Sequence, residues 1–128
     1  MPVEVIWDDE EKTIIRQIYS GLVVLDDYKA ATDQFVEMAN SVDHTVHSIL
    51  DRREIEKSEG SFLKAMQYAN KLMPDHVGMR IVMQPNRMTK TMINMGQYLA
   101  PNLVKNIGYA ETIEEAHGKI ADYLKSTP

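Results

Sequence analysis

Polar and apolar residues change period several times along the chain, and each change marks an element. Residues 3–7 and 13–19 are rich in β-branched and aromatic side chains and bracket the polar run Asp8-Asp9-Glu10-Glu11-Lys12. That is the pattern of two antiparallel strands joined by a hairpin turn. After Gly21 the period lengthens: Asp26 stands where a helix cap belongs, and Tyr28, Ala31, Phe35, Met38 and Ala39 recur at helical spacing. Residues 45–51 read as a short strand, and the charged segment 52–60 as a loop. Phe62, Ala65, Met66, Ala69, Leu72 and Met73 then form the stripe of a second helix, capped by Ser58 or Ser61 and stopped by Pro74. Residues 77–84 read as a buried strand, and Asn86 opens a helix with a narrow seam of Met88, Met92, Met95 and Leu99 ahead of Pro101. A short strand over 106–110 leads to Thr112, which with Glu115 makes a T-x-x-E capping box. The closing helix is expected to bury Ile113, Ala116, Ile120 and Leu124.

The order ββαβαβαβα predicts an α/β fold with a mixed, mostly parallel five-stranded sheet. Alternation within the strands indicates how that sheet is covered. In 45–51, Val46, Ser48 and Leu50 oppose Thr45, His47 and Ile49; in 77–84, Val77, Met79, Ile81 and Met83 oppose Gly78, Arg80, Val82 and Gln84. A sheet covered on both faces should not carry that polar set, so the helices are expected mainly on one face. The other face, with Ile14, Arg16, Ile18, His47, Ile49, Arg80 and Val82, is expected to be partly open. It is the candidate interface, and a two-fold homodimer is the simplest way to cover it.

A length of 128 residues suits a single domain over 1–128. The net charge of −5 argues against nucleic acid or an anionic membrane as partner, because both are held by cationic side chains. With no cysteine, disulfides, zinc-thiolate sites, iron-sulfur clusters and thiol nucleophiles are excluded. The N-terminus lacks the basic start and apolar run of a signal peptide, and no stretch approaches the roughly 20 apolar residues of a membrane span. A cytoplasmic location is the resulting expectation.

The element order, the one-sided cover and the ending Asn106-Ile107-Gly108-Tyr109-Ala110-Glu111-Thr112-Ile113-Glu114-Glu115-Ala116 resemble the SpoIIAA-like branch of the STAS and CRAL-TRIO fold over nearly the whole chain. The resemblance implies a superhelix of βα turns, in a group that includes anti-sigma-factor antagonists, cytoplasmic domains of anion transporters and lipid-transfer domains. In the antagonists a strand ending in Asp is followed by a D-S-S/T-G-like segment whose hydroxyl a kinase partner phosphorylates. Here the strand end is Ile49-Leu50-Asp51, and the nearest match is Lys57-Ser58-Glu59-Gly60 with Ser61 following. Glu59 occupies the place of a second hydroxyl, a departure that argues against kinase-regulated switching.

In open α/β sheets ligands gather beyond the carboxyl ends of the parallel strands. That edge is expected to collect Asp51, Arg52, Arg53, Ser58, Ser61, Asn86, Arg87 and Lys90, so that two helix N-termini and three arginines can hold a phosphate or carboxylate. The plainer reading is a solvated rim of local ion pairs with Glu54, Glu56 and Glu59. His44 and His47, on a strand, point to opposite faces, so no metal site is expected. His76 and His117 have no nearby nucleophile, and the acids of the hairpin turn are expected to be solvated. Nine methionines, with Met79, Met83, Met88, Met92 and Met95 close together, serve either as core filling or as an adaptable surface. No G-x-G-x-x-G, Walker or H-E-x-x-H pattern occurs, and no cofactor is expected. The function expected is a non-enzymatic, STAS-like binding or regulatory module acting through protein contacts. The alternative is a carrier or sensor of a small apolar or amphipathic, lipid-like ligand on the open sheet face. An enzyme built from Asp51, Arg52 and Arg87 lacks a recognised nucleophile or base.

Overall fold

The computed structural model describes residues 2–60 and 62–126. Its first turn is organised by one side chain: the Asp9 carboxylate accepts the N–H groups of Thr13 and Ile14, each at 2.9 Å, and the Thr13 hydroxyl. The turn joins β1 (Val3–Trp7) to β2 (Ile14–Val23), and the two pair antiparallel. There follow α1 (Leu25–Asn40), β3 (Val46–Ser58), α2 (Phe62–Leu72), β4 (Val77–Met83), α3 (Arg87–Leu99), a single turn α4 (Pro101–Val104), β5 (Ile107–Ala110) and α5 (Ile113–Ser126). The strands lie in chain order β1-β2-β3-β4-β5, every pair after the first parallel.

The helix starts are set by short polar side chains. Asn86 accepts the N–H of Thr89 at 2.8 Å to open α3, and the Thr112 hydroxyl accepts the N–H of Glu115 at 3.1 Å to open α5. At α1 the cap is not Asp26, which is exposed in the first turn; Asp27 reaches back to the N–H of Val24 at 2.9 Å. Ser61, one of the two candidate caps of α2, lies outside the described residues.

Two strands run further than the alternation indicates. β2 continues to Val23 through a bulge, with Gly21 at φ 64°, where a side chain would be strained. β3 continues to Ser58, so the segment expected as a loop is mostly strand, paired from Glu54 to Ser58 with Ser20 to Val23.

Four helices pack on one sheet face. Ile15, Tyr19, Val23 and Val46 meet Tyr28, Ala31, Phe35 and Ala39 of α1, while Val82 meets Met66, Ile93, Ala100 and Leu103. The remaining helix, α5, lies on the opposite face, where Ala116 and Ile120 close over Ile49, Ile81, Met83 and Ala110, with Ile14 and Met79 alongside. Helices are thus mainly on one face, but the second face is not open along β3 and β4.

The assignment of β4 to its two faces is the main correction. Val46 pairs with Val77, yet Ser48 pairs with Arg80, so β4 carries one extra residue at Gly78-Met79. A bulge reverses the alternation beyond it. Val77, Arg80 and Val82 therefore share the face under α1–α4, and Met79, Ile81 and Met83 turn towards α5. Arg80 and Val82 do not belong with Ile14, His47 and Ile49, and the last two are fully buried. Leu124 is exposed as well; on α5 Tyr123 instead lays its ring edge-on to His47, with centroids 5.7 Å apart.

Candidate functional site

Because β3 stays extended past Asp51, successive side chains leave it on opposite faces. That geometry divides the cluster expected at the strand ends. Arg52, Ser58 and Asn86 line one cleft of about 340 Å³ together with Gly60, Phe62, Met88, Thr89 and Met92, between the start of α3 and the end of β3. Asp51 and Arg53 face the other way, in a shallow depression with Arg16, Ile18 and Glu54. The trio Asp51, Arg52 and Arg87 is therefore not assembled. Arg87 and Lys90 are exposed on α3, the Lys90 ammonium lying 5.4 Å from the Tyr109 ring centre.

In the cleft, the Arg52 guanidinium lies 5.7 Å from the Phe62 ring centre, and its buried NH1 has no hydrogen-bond partner among the described residues. Ser58 is exposed, with its hydroxyl 2.9 Å from that of Tyr28. On the opposite face Asp51 accepts from Nε and NH2 of Arg53, at 3.0 and 2.8 Å. Burial alone would raise the Asp51 pKa, but the Arg53 hydrogen bonds and the charges of Arg53 and Arg16 outweigh it and hold the carboxyl below its ordinary range. Next to it Arg16 and His117 both bond the carboxylate of Asp8, so this acid of the hairpin is tied down rather than solvated.

The histidines are used by the fold. His44 and His76 bond the carbonyls of Lys12 and Ala39 through Nε2, at 2.8 and 2.6 Å. His47 accepts the N–H of Met79 at Nδ1, 3.0 Å away, and burial lowers its pKa despite the opposing charge of Asp9.

Two features were not anticipated from the chain. The seam of α3 is displaced by one residue: Thr89, Ile93 and Gly96 pack inward, while Met88, Met95 and Leu99 are 64%, 43% and 44% exposed and Tyr98 is 86% exposed. The signal for this was Gly96, since a Cβ there would sit 2.5 Å from the end of Met66 and 2.9 Å from Val104. The second feature is Arg80, enclosed beneath the helices by the β4 bulge.

Among solved structures the chain is similar to the anti-sigma factor antagonist SpoIIAA in its unphosphorylated form, at 10% identity and a TM-score of 0.61, over 94% of this chain and 96% of that one. It is also similar to the Bacillus cell fate determinant SpoIIAA in the phosphorylated form, at 11% identity and a TM-score of 0.56, over 92% and 98%. The chain therefore has the SpoIIAA-like, or STAS-like, fold. No family model matches the sequence, and no curated protein is significantly similar to it. No helix among the described residues is long and apolar enough to cross a membrane.

Proposed function

We propose that this chain is a regulatory module, not a catalyst, and that it works by holding another protein against the outward stripe of α3. The observation carrying this reading is the stripe itself: Met88, Met95, Tyr98 and Leu99 are exposed on one short helix, where apolar surface costs solubility unless something covers it. The helix carries Arg87 and Lys90 and no acidic residue, in a chain whose net charge is −5. The partner fitted to it is a protein that offers an apolar groove with an acidic rim. Methionines suit such a surface because they repack against an imperfect match. The fold supports a role of this kind, since two similar solved structures are of SpoIIAA, named in one as an anti-sigma factor antagonist and in the other as a cell fate determinant. Control through Ser58 is not part of the proposal, because its hydroxyl is hydrogen-bonded to Tyr28.

A photo-crosslinking residue placed at Tyr98, with Leu124 on α5 as the control position, tests the reading. A discrete heterologous adduct from position 98 alone is expected, weakening as salt is raised and lost in a Met95→Glu variant that still folds. Equal adducts from both positions, none from either, or adducts only with a second copy of the chain would overturn it.

A further inference from the structure

Among the described residues Arg80 has no anionic partner. Its guanidinium lies 5.5 Å from the Phe35 ring centre and donates to the Met73 sulfur at 3.4 Å. None of the ion pairs among the described residues includes it. Nearby Tyr19 is no counter-ion, since burial raises its pKa and keeps the phenol neutral. An unpaired cation inside a fold is expensive to desolvate, and burial lowers the Arg80 pKa to about 10, leaving it charged at neutral pH.

Empty space surrounds this cation. Three cavities of about 30, 50 and 40 Å³ all touch Arg80 and Leu103. Arg80 is half-buried, and it lines all three spaces. The second cavity is walled by the aromatic rings of Tyr19, Tyr28 and Phe62, and the third includes the buried Ser48. Leu50, Phe62 and Met66 line both, so a rotamer change in the flexible Met66 would join them. The first cavity reaches the exposed residues Asp75, Asn102 and Lys105 beside α4. Gln17 borders the second; it is 3% exposed, and its Oε1 accepts no hydrogen bond among the described residues.

The interior therefore offers a cation without an anion, an acceptor without a donor, and aromatic walls. We propose that this chain binds a small aromatic hydroxy acid between the sheet and helices α1, α2 and α4, its carboxylate on Arg80 and its hydroxyl donating to Gln17. Engineered cavities of about 150 Å³ admit benzene; the second and third cavities, about 50 and 40 Å³, must therefore join and widen before a single-ring acid fits, and nothing larger is accommodated. This pocket lies under the helices, not on the open sheet face where a carried ligand was expected, and it does not depend on the contact proposed for α3.

Titration with 4-hydroxybenzoate, followed by amide NMR, is the test. Saturable shifts are expected at Gln17, Ser48, Arg80 and Leu103, with benzoate weaker and 4-hydroxybenzamide weakest. Arg80→Met should weaken binding by about 30-fold or more, the usual result of truncating one side of a buried charge pair. The same variant should keep or raise the thermal midpoint of the free protein, since it removes an uncompensated charge. Should that variant fail to fold, Gln17→Met decides, by abolishing the preference for the hydroxy acid over benzoate. An absence of saturable shifts, shifts confined to other residues, equal binding of the amide, or a crystal soaked with the acid whose cavities hold water alone would overturn the proposal.

Discussion

Phe35 and Phe62 both sit on inward stripes, yet burial separates their expected contributions. Phe35 is 1% exposed, packed under α1 with Ile15, Val46 and the Arg80 guanidinium, so Phe35→Ala should cost about 3–5 kcal/mol in chemical denaturation. Phe62 is half-buried at the mouth of a cleft, and Phe62→Ala should cost less, about 1–2 kcal/mol. Equal losses would mean that the cleft closes over Phe62 in solution. His47 gives a second test, read through pH. Its Nδ1 accepts the Met79 N–H and so must stay unprotonated, and burial lowers its pKa from the ordinary 6.5. On acidification the unfolded chain takes up this proton first, as pH falls through about 6.5, while the folded chain does so only lower down. Stability is therefore complete above that value and falls as pH drops from about 7 towards 5. Urea titrations across this range should show a flatter slope in His47→Asn than in the natural chain. Parallel slopes would mean that the ring is not held neutral.

At the scale of elements, most of the fold was legible, because helices and strands in this chain keep distinct hydrophobic periods and three helix starts carry short polar side chains. What failed was phase rather than period. A bulge at Gly78-Met79 leaves apolar residues on both sides of β4, so alternation alone assigned Arg80 and Val82 to the wrong face. A glycine inside a strand was the available sign of it. Gly78 also accommodates the His47 ring, which a Cβ at that position would meet at 2.6 Å. In α3 two apolar stripes lie side by side, and the longer side chains looked like the core. The structure buries the smaller Thr89, Ile93 and Gly96 because Met66 and Val104 come close there. The candidate site was half legible: the strand-end edge does gather Arg52, Ser58 and Asn86, but continuing strand geometry sends Asp51 and Arg53 to the opposite face. Asn86→Ala should remove the cap of α3 at a cost of about 0.5–2 kcal/mol, and hydrogen exchange should show the loss concentrated in the first turn of that helix.

For the whole molecule, two-sided cover changes what a homodimer would have to be. The sheet face expected to pair copies of the chain has lost Arg80 and Val82 to the opposite layer, and α5 has closed over His47 and Ile49. Ile18 remains half-buried there, beside Arg16, Asp51 and Arg53, three charged residues that already belong to ion pairs with Asp8 or with each other. Covering that surface would bury charged groups around a small apolar area, which yields little net stabilisation. The larger unpartnered apolar surface is on α3, across the sheet from Ile18. Ile18→Asp is accordingly expected to leave the sedimentation coefficient of the purified protein unchanged at every concentration, with far-UV circular dichroism also unchanged. If Ile18→Asp instead converts a dimer to a monomer, the sheet face is the self-contact. Met95→Glu is the paired measurement. Should it alone dissociate a dimer, the acidic-rimmed partner proposed for α3 would give way to a second copy of the chain.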